Sequence, residues 1–230
     1  RRRPDVTVRR DLVSRAIETE LATAEALAQV QVGLALPAVD RTAPLRAARA
    51  QGAKHLLCLA LVEERDRCIE RAIILLQLLH PDAGLELVAD TLRSEVPARR
   101  ANAVEVLDNT VREDTKKRLL PLIEDRLPPK TDAQRTPAEW LARLVTGPSP
   151  WIAACAAQHA AELGVQGLTG PLRDGLRSPV AYVREACAGA LARLAPAESR
   201  SALEAMKDDP ARTVRRIVEG ALRLGRLATT

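Results

Sequence analysis

Phenylalanine is absent from the 230 residues, tyrosine occurs once, methionine once and tryptophan twice. A chain so poor in aromatics has few stacking platforms for bases, sugars or flat cofactors, and no cofactor is expected here. The four cysteines, Cys58, Cys68, Cys155 and Cys187, show no CxxC spacing and lie within apolar segments. Buried reduced thiols, and a cytoplasmic setting, are the expectation. No run of about 18 apolar residues occurs, so the sequence carries no membrane-spanning helix. Strict alternation of apolar and polar residues is also missing, which leaves no convincing strand. The chain opens at Arg1-Arg2-Arg3-Pro4 without a methionine or signal peptide, as an excised piece of a longer protein would.

What is present is leucine, alanine and valine at helical spacing. The apolar fraction is 47%, enough for a packed core, and the net charge is +5 with a pI near 9.4. Alanine- and arginine-rich coding explains so mild a basic balance without an anionic partner.

A repeated fragment organises the C-terminal half. Ser149-Pro150-Trp151, Ser178-Pro179 with Val183-Arg184, and Asp209-Pro210 with Val214-Arg215 each open a helix rich in small residues. Placing Trp151, Val183 and Val214 in register gives spacings of 32 and 31 residues (151 to 183 to 214) and aligns Cys155, Cys187 and Val218. Self-similarity at that period means stacked helical pairs, because one pair cannot bury its own apolar face.

The periodicity predicts helices over about 5–31, 43–64, 66–79, 85–92, 95–109, 112–126, 137–146, 150–163, 166–177, 180–194, 197–207 and 211–226. Thr136-Pro137-Ala138-Glu139 is a helix start, with a cap, a first-turn proline and an acid at the positive end. Residues 127–135 read as a proline-bearing surface loop. Two parts follow: an N-terminal helical segment, 1–42, and a continuous repeat domain, 43–230.

Several clusters invite chemistry. His55 and Cys58, with Cys68 and His80, offer metal-ligand types, but their intervals match no compact zinc module. Cys155 and His159 share a helix face four residues apart. A nucleophile needs an orienting group and an oxyanion site as well, and Cys187 repeats Cys155 with Leu191 where a histidine would stand. A repeated position is a packing position, so neither catalysis nor a metal is expected. Arg184 and Arg215 follow the in-register valines, and Arg184 with Asp209 is the pair the spacing draws, a structural ladder continued by Arg215. Basic residues gather at Arg1–Arg3, Arg99-Arg100, Lys116–Arg118 and Arg215-Arg216, yet Arg216 aligns with Glu185 and no repeated basic stripe results. Trp140 and Trp151 fit core positions.

The segment Pro97-Ala-Arg-Arg-Ala-Asn-Ala-Val-Glu-Val-Leu-Asp-Asn109, followed by Lys117-Arg-Leu-Leu-Pro-Leu-Ile-Glu-Asp125, carries a family resemblance. It resembles the HEAT-repeat region that some bacterial proteins fuse to a nucleotide-translocase-like or major-facilitator-like membrane domain. Residues 71–80 and 150–163 are similar to neighbouring stretches of that family, and the resemblance spans roughly 43–226. It implies an all-α, right-handed α-solenoid of HEAT-type pairs with a long N-terminal helical segment. It also implies a non-catalytic scaffold binding a protein partner, the cytoplasmic part of a larger bacterial membrane-associated protein whose membrane domain lies on the same polypeptide. The alternative on the same fold is a HEAT-like nucleic-acid-binding or DNA-glycosylase-type repair protein; a subunit of a lyase-type assembly is a third reading. Nucleic acid is not the expected partner, given the scattered charges and missing aromatics. The expected partner face is the concave one, at Arg99, Asn102, Glu105, Tyr182, Glu185, Arg216 and Glu219.

Overall fold

The computed structural model describes residues 9–37, 45–85, 88, 91, 97–124 and 135–227. The basic start at Arg1–Arg3, the loop over 127–134, most of the helix expected at 85–92, and the side chains of Arg100 and Arg226 lie outside the described residues.

The regular elements among the described residues are helices, in the order α1 (Arg10–Gly33), α2 (Leu45–Ala50), α3 (Ala53–Leu79), α4 (Pro97–Thr110), α5 (Glu113–Ile123), α6 (Pro137–Val145), α7 (Pro150–Leu163), α8 (Thr169–Gly175), α9 (Ala181–Leu194), α10 (Pro196–Glu204) and α11 (Arg212–Leu227). One expected boundary moves. The sequence suggested a break near residue 65, but α3 runs unbroken through it. The Glu63-Glu64-Arg65-Asp66-Arg67 stretch contains no helix breaker, and its charges pair along the helix, with Arg67 3.1 Å from Glu64. The break falls instead at Gly52, whose φ of +97° is open to glycine and strained for other residues.

Contacts divide the chain into two compact units, 1–29 with 62–130, and 30–61 with 131–230. In the first unit, α1 turns Ile17, Leu21 and Ala24 inward at helical spacing. They join Ile69, Ala72, Ile73 and Leu76 of α3, Ala103 and Leu107 of α4, and Leu119 and Leu122 of α5 in one core. Ion pairs frame that core. Arg71 grips both oxygens of Glu20 at 2.9 Å, and Arg118 grips both oxygens of Glu25 at 2.8 Å while also reaching Glu18.

The second unit contains the repeats. A capping box starts α6: the Glu139 N–H donates to Thr136 Oγ1, and the Glu139 carboxylate accepts from the Thr136 N–H. Prolines at the starts of α6, α7 and α10 occupy positions whose N–H would have no helical acceptor. Helix α7 packs on α9, and α9 on α11; α6 lies against α7, α8 against α9, and α10 against both α9 and α11. Small residues allow this close row. Ala153, Ala154, Ala156, Ala157, Ala160 and Ala161 of α7, and Ala186, Ala188 and Ala190 of α9, are all buried. Cys155, Cys187 and Val218 occupy one equivalent layer and are 1% exposed or less. The N-terminal residues of this unit dock onto the repeats: Gly33 lies under the Trp140 indole, and the Ala53 N–H donates to Glu162 at 2.9 Å.

Candidate partner-binding surface

The turn before α11 shows how each repeat is joined to the next. Asp209 is buried, and its Oδ1 accepts the Ala211 N–H at 2.8 Å, which fixes the carboxylate at the start of the helix. Arg184, at the start of α9, presents Nε and Nη2 to the two Asp209 oxygens at 2.8 and 2.9 Å. Its Nη1 donates backwards to the carbonyls of Ser178 and Pro179. The guanidinium beside it, with the Ala211 N–H, holds the Asp209 carboxyl below its ordinary range, although burial opposes this. One repeat later Arg215 Nη1 donates in the same way to the carbonyls of Asp209 and Pro210.

Beside this row sits an aromatic pair. Trp151 and Tyr182 meet edge to face with ring centroids 6.5 Å apart. The sequence placed Trp151 in the core; it is half-buried here, with the half-exposed Tyr182 at its edge. Tyr182 itself is 47% exposed, the largest aromatic surface among the described residues. Trp140 is buried, with the Arg135 guanidinium 5.0 Å above its ring. Glu185, three residues after Tyr182 on α9, is half-buried, while Arg216 and Glu219 on the adjoining α11 are exposed. In the first unit, Arg99, Asn102 and Glu105 follow one another at three-residue steps along α4, all exposed.

The other clusters come apart. His55 faces the Gln51 carbonyl at 3.1 Å, and Cys58 Sγ donates to the Pro37 carbonyl at 2.9 Å. Cys68 belongs to the core of the first unit, next to Arg71, and burial pushes its thiol up to about 12. Among the described residues no three His, Cys, Asp or Glu side chains gather as a metal site. His159 is 1% exposed, and neither ring nitrogen has a hydrogen-bond partner among the described residues. Burial lowers its pKa, Glu162 opposes this, and Lys54 adds to it. Of the basic clusters, Lys116 is bound to Asp108 at 2.8 Å and Glu113 at 3.3 Å, Lys117 is 3.7 Å from Glu113, and Arg118 is held by Glu25. That stretch of positive charge is neutralised where it stands.

Helices α6 to α11 thus repeat one buried layer, at Cys155, Cys187 and Val218, and α9 and α11 share one arginine anchor. Residues 137–223 match the family model of HEAT repeats. The all-α stack of HEAT-type pairs is accordingly the fold of this part of the chain. No curated protein matches the sequence. Among solved structures, a designed armadillo repeat protein is similar at 16% identity, with 95% of each chain covered and a TM-score of 0.33. No helix among the described residues is long and apolar enough to cross a membrane.

Proposed function

We propose that the chain is a non-catalytic scaffold that binds a protein partner through exposed helix faces of its HEAT-type repeats. The observation that carries this reading is Tyr182, half exposed beside Trp151, with Glu185 on the same helix and exposed Arg216 and Glu219 on the adjoining α11. Tyrosine and arginine supply large contact area at low entropic cost and dominate interface energetics. The mixed signs favour a protein surface over a polyanion. Arg99, Asn102 and Glu105 are exposed in the same way along α4. The resemblance to membrane-fused HEAT regions supports a further step: that these repeats are the cytoplasmic part of a larger bacterial membrane-associated protein. Recovery of a reading frame with a membrane domain tests that step.

The binding claim is tested by replacing Arg99, Tyr182 and Arg216 together with alanine. All three are exposed, so helical content and melting should barely change. Recovery of the partner from the source cell should fall at least about tenfold, as loss of two or more interface anchors demands. A triple alanine variant at Lys117, Arg177 and Glu204 should bind as the parent does. The reverse pattern would refute the assignment.

A further inference from the structure

The start of α3 is held on the repeats by one carboxylate. The Ala53 N–H donates to Glu162 Oε2 at 2.9 Å, and a Cβ added at Gly52 would stand 3.4 Å from the same oxygen. Ala48 of α2 and Ala53, Leu56 and Leu57 of α3 are buried in this docking. Glu162 lies on α7 three residues after His159, so the two share a helix face. His159 is 1% exposed, and both its ring nitrogens lack a hydrogen-bond partner among the described residues. A neutral imidazole carries one donor and one acceptor, and leaving both unpaired in a core costs free energy that an aliphatic side chain would not. The charged groups that act on it are Glu162 of its own helix and Lys54 of α3. Helices α6 and α9 also pack on α7, and no charged side chain of theirs acts on His159 among the described residues.

We propose that His159 is an acid-sensitive latch, whose protonation loosens the start of α3 from α7. Three effects act in one direction. The imidazolium competes with the Ala53 N–H for the Glu162 carboxylate, and a charge-assisted hydrogen bond is the stronger of the two. It repels the Lys54 ammonium, the residue next to Ala53. It also regains water only when the docked residues lift away. In the docked state burial holds the imidazole below its ordinary value near 6.5, an effect that Lys54 reinforces and Glu162 only partly offsets. The loosened state therefore takes up the proton more readily. The latch is closed above about pH 6.5 and weakens as pH falls below it. It rests on the docked start of α3 and not on the Tyr182 face proposed above.

Residue-resolved amide exchange of the full chain at pH 7 and pH 5, each rate divided by its intrinsic value, tests this. Protection at Ala53, Leu56 and Leu57 should fall by about tenfold or more, one proton allowing at most about tenfold per pH unit. At pH 5 these amides should exchange through an opening that sub-denaturing urea does not accelerate. Ala188 and Leu191, buried in α9, should respond to urea, because only opening of the whole stack exposes much surface. His159→Leu should abolish the acid response at Ala53. His55→Gln should keep it, although His55 lies in the same docked turn, 3.1 Å from the Gln51 carbonyl. Lys54→Gln should reduce the response without a change in fold, since Lys54 is exposed. Should His159→Leu fail to fold, the parent chain and Lys54→Gln still decide the matter. Unchanged protection at Ala53 between the two pH values, an equal fall in His159→Leu, or one shared urea dependence for Ala53 and Leu191 would overturn the proposal.

Discussion

Replacement of Gly175 with alanine probes a close contact between α8 and α9. Gly175 ends α8 and is buried. A Cβ placed there would enter the van der Waals envelope of the Cys187 sulfur and lie 3.3 Å from the Cys187 Cβ. The sulfur has no room to retreat, since Cys187 is 0% exposed. Two effects oppose each other. Alanine is better than glycine in a helix by about 0.5–1 kcal/mol, while overpacking of a closed core costs about 1–3 kcal/mol. The clash should win, giving a net destabilisation of about 1–2 kcal/mol. Cys187→Ala alone removes the sulfur and should cost about 1 kcal/mol through lost burial and a small void. The two changes together place the new methyl group in the space the sulfur vacated. The double variant should therefore be more stable than the sum of the single costs implies, by about 1 kcal/mol or more. Denaturant unfolding followed by helical circular dichroism measures this, and a coupling of that size moves Tm by about 2–4 °C in a chain this long. Strict additivity, or a neutral Gly175→Ala, would refute the packing argument.

Three further outcomes are expected. Gly33→Ala should destabilise by about 1–3 kcal/mol, because its Cβ would sit 2.5 Å from Trp140 Nε1; the same denaturation measurement checks it, and restored stability in Gly33→Ala with Trp140→Leu would confirm the cause. Asp209→Asn should cost about 3 kcal/mol, since the Arg184 and Asp209 side chains are only 11% and 4% exposed; the exposed Arg67–Glu63 pair, by contrast, contributes about 0–1 kcal/mol, which Glu63→Gln would show. His159 is buried neutral, with a folded pKa below its unfolded value near 6.5. The unfolded chain binds its proton more readily, so stability contributed by neutral His159 is present above about pH 6.5 and declines as pH falls below it. His159→Leu should flatten that acid limb of a pH–stability profile, and an unchanged limb would mean the imidazole does not sense acid.

The 31–32-residue register was legible because alignment of Trp151, Val183 and Val214 also aligned small and apolar residues further along each helix. The layer at Cys155, Cys187 and Val218 follows from that alone. The pairing of Arg184 with Asp209 was legible for the same reason: the valine–arginine step recurs with an acid or hydroxyl residue in the turn before it. Other features rest on contacts that a linear pattern does not encode. Gly175 and Gly33 read as ordinary helix-end glycines until Cys187 and Trp140 are seen against them. The continuity of α3 was hidden by the charged run at 63–67, which resembles an exposed break but pairs with itself along the helix. The half-exposed setting of Trp151 depends on Tyr182 from the next repeat. Motif reading could still have hinted at it, since these are two of the three aromatics in the chain and stand near equivalent helix starts.

Thiol accessibility tests the repeat register most directly. Cys155 and Cys187 are 1% and 0% exposed, and burial pushes the Cys187 thiol up to about 12, so almost no thiolate is presented at neutral pH. Peptide-mapped alkylation of the native chain should modify both at least about a hundredfold more slowly than in denaturant, since reaction must await opening of the stack. A Val218→Cys variant should be equally protected, while a Glu219→Cys variant should react at once, because Glu219 is exposed. Alkylation of native Cys187 or of the Val218→Cys thiol at the rate of the Glu219→Cys thiol would contradict the register on which the fold, the arginine rungs and the partner surface all depend.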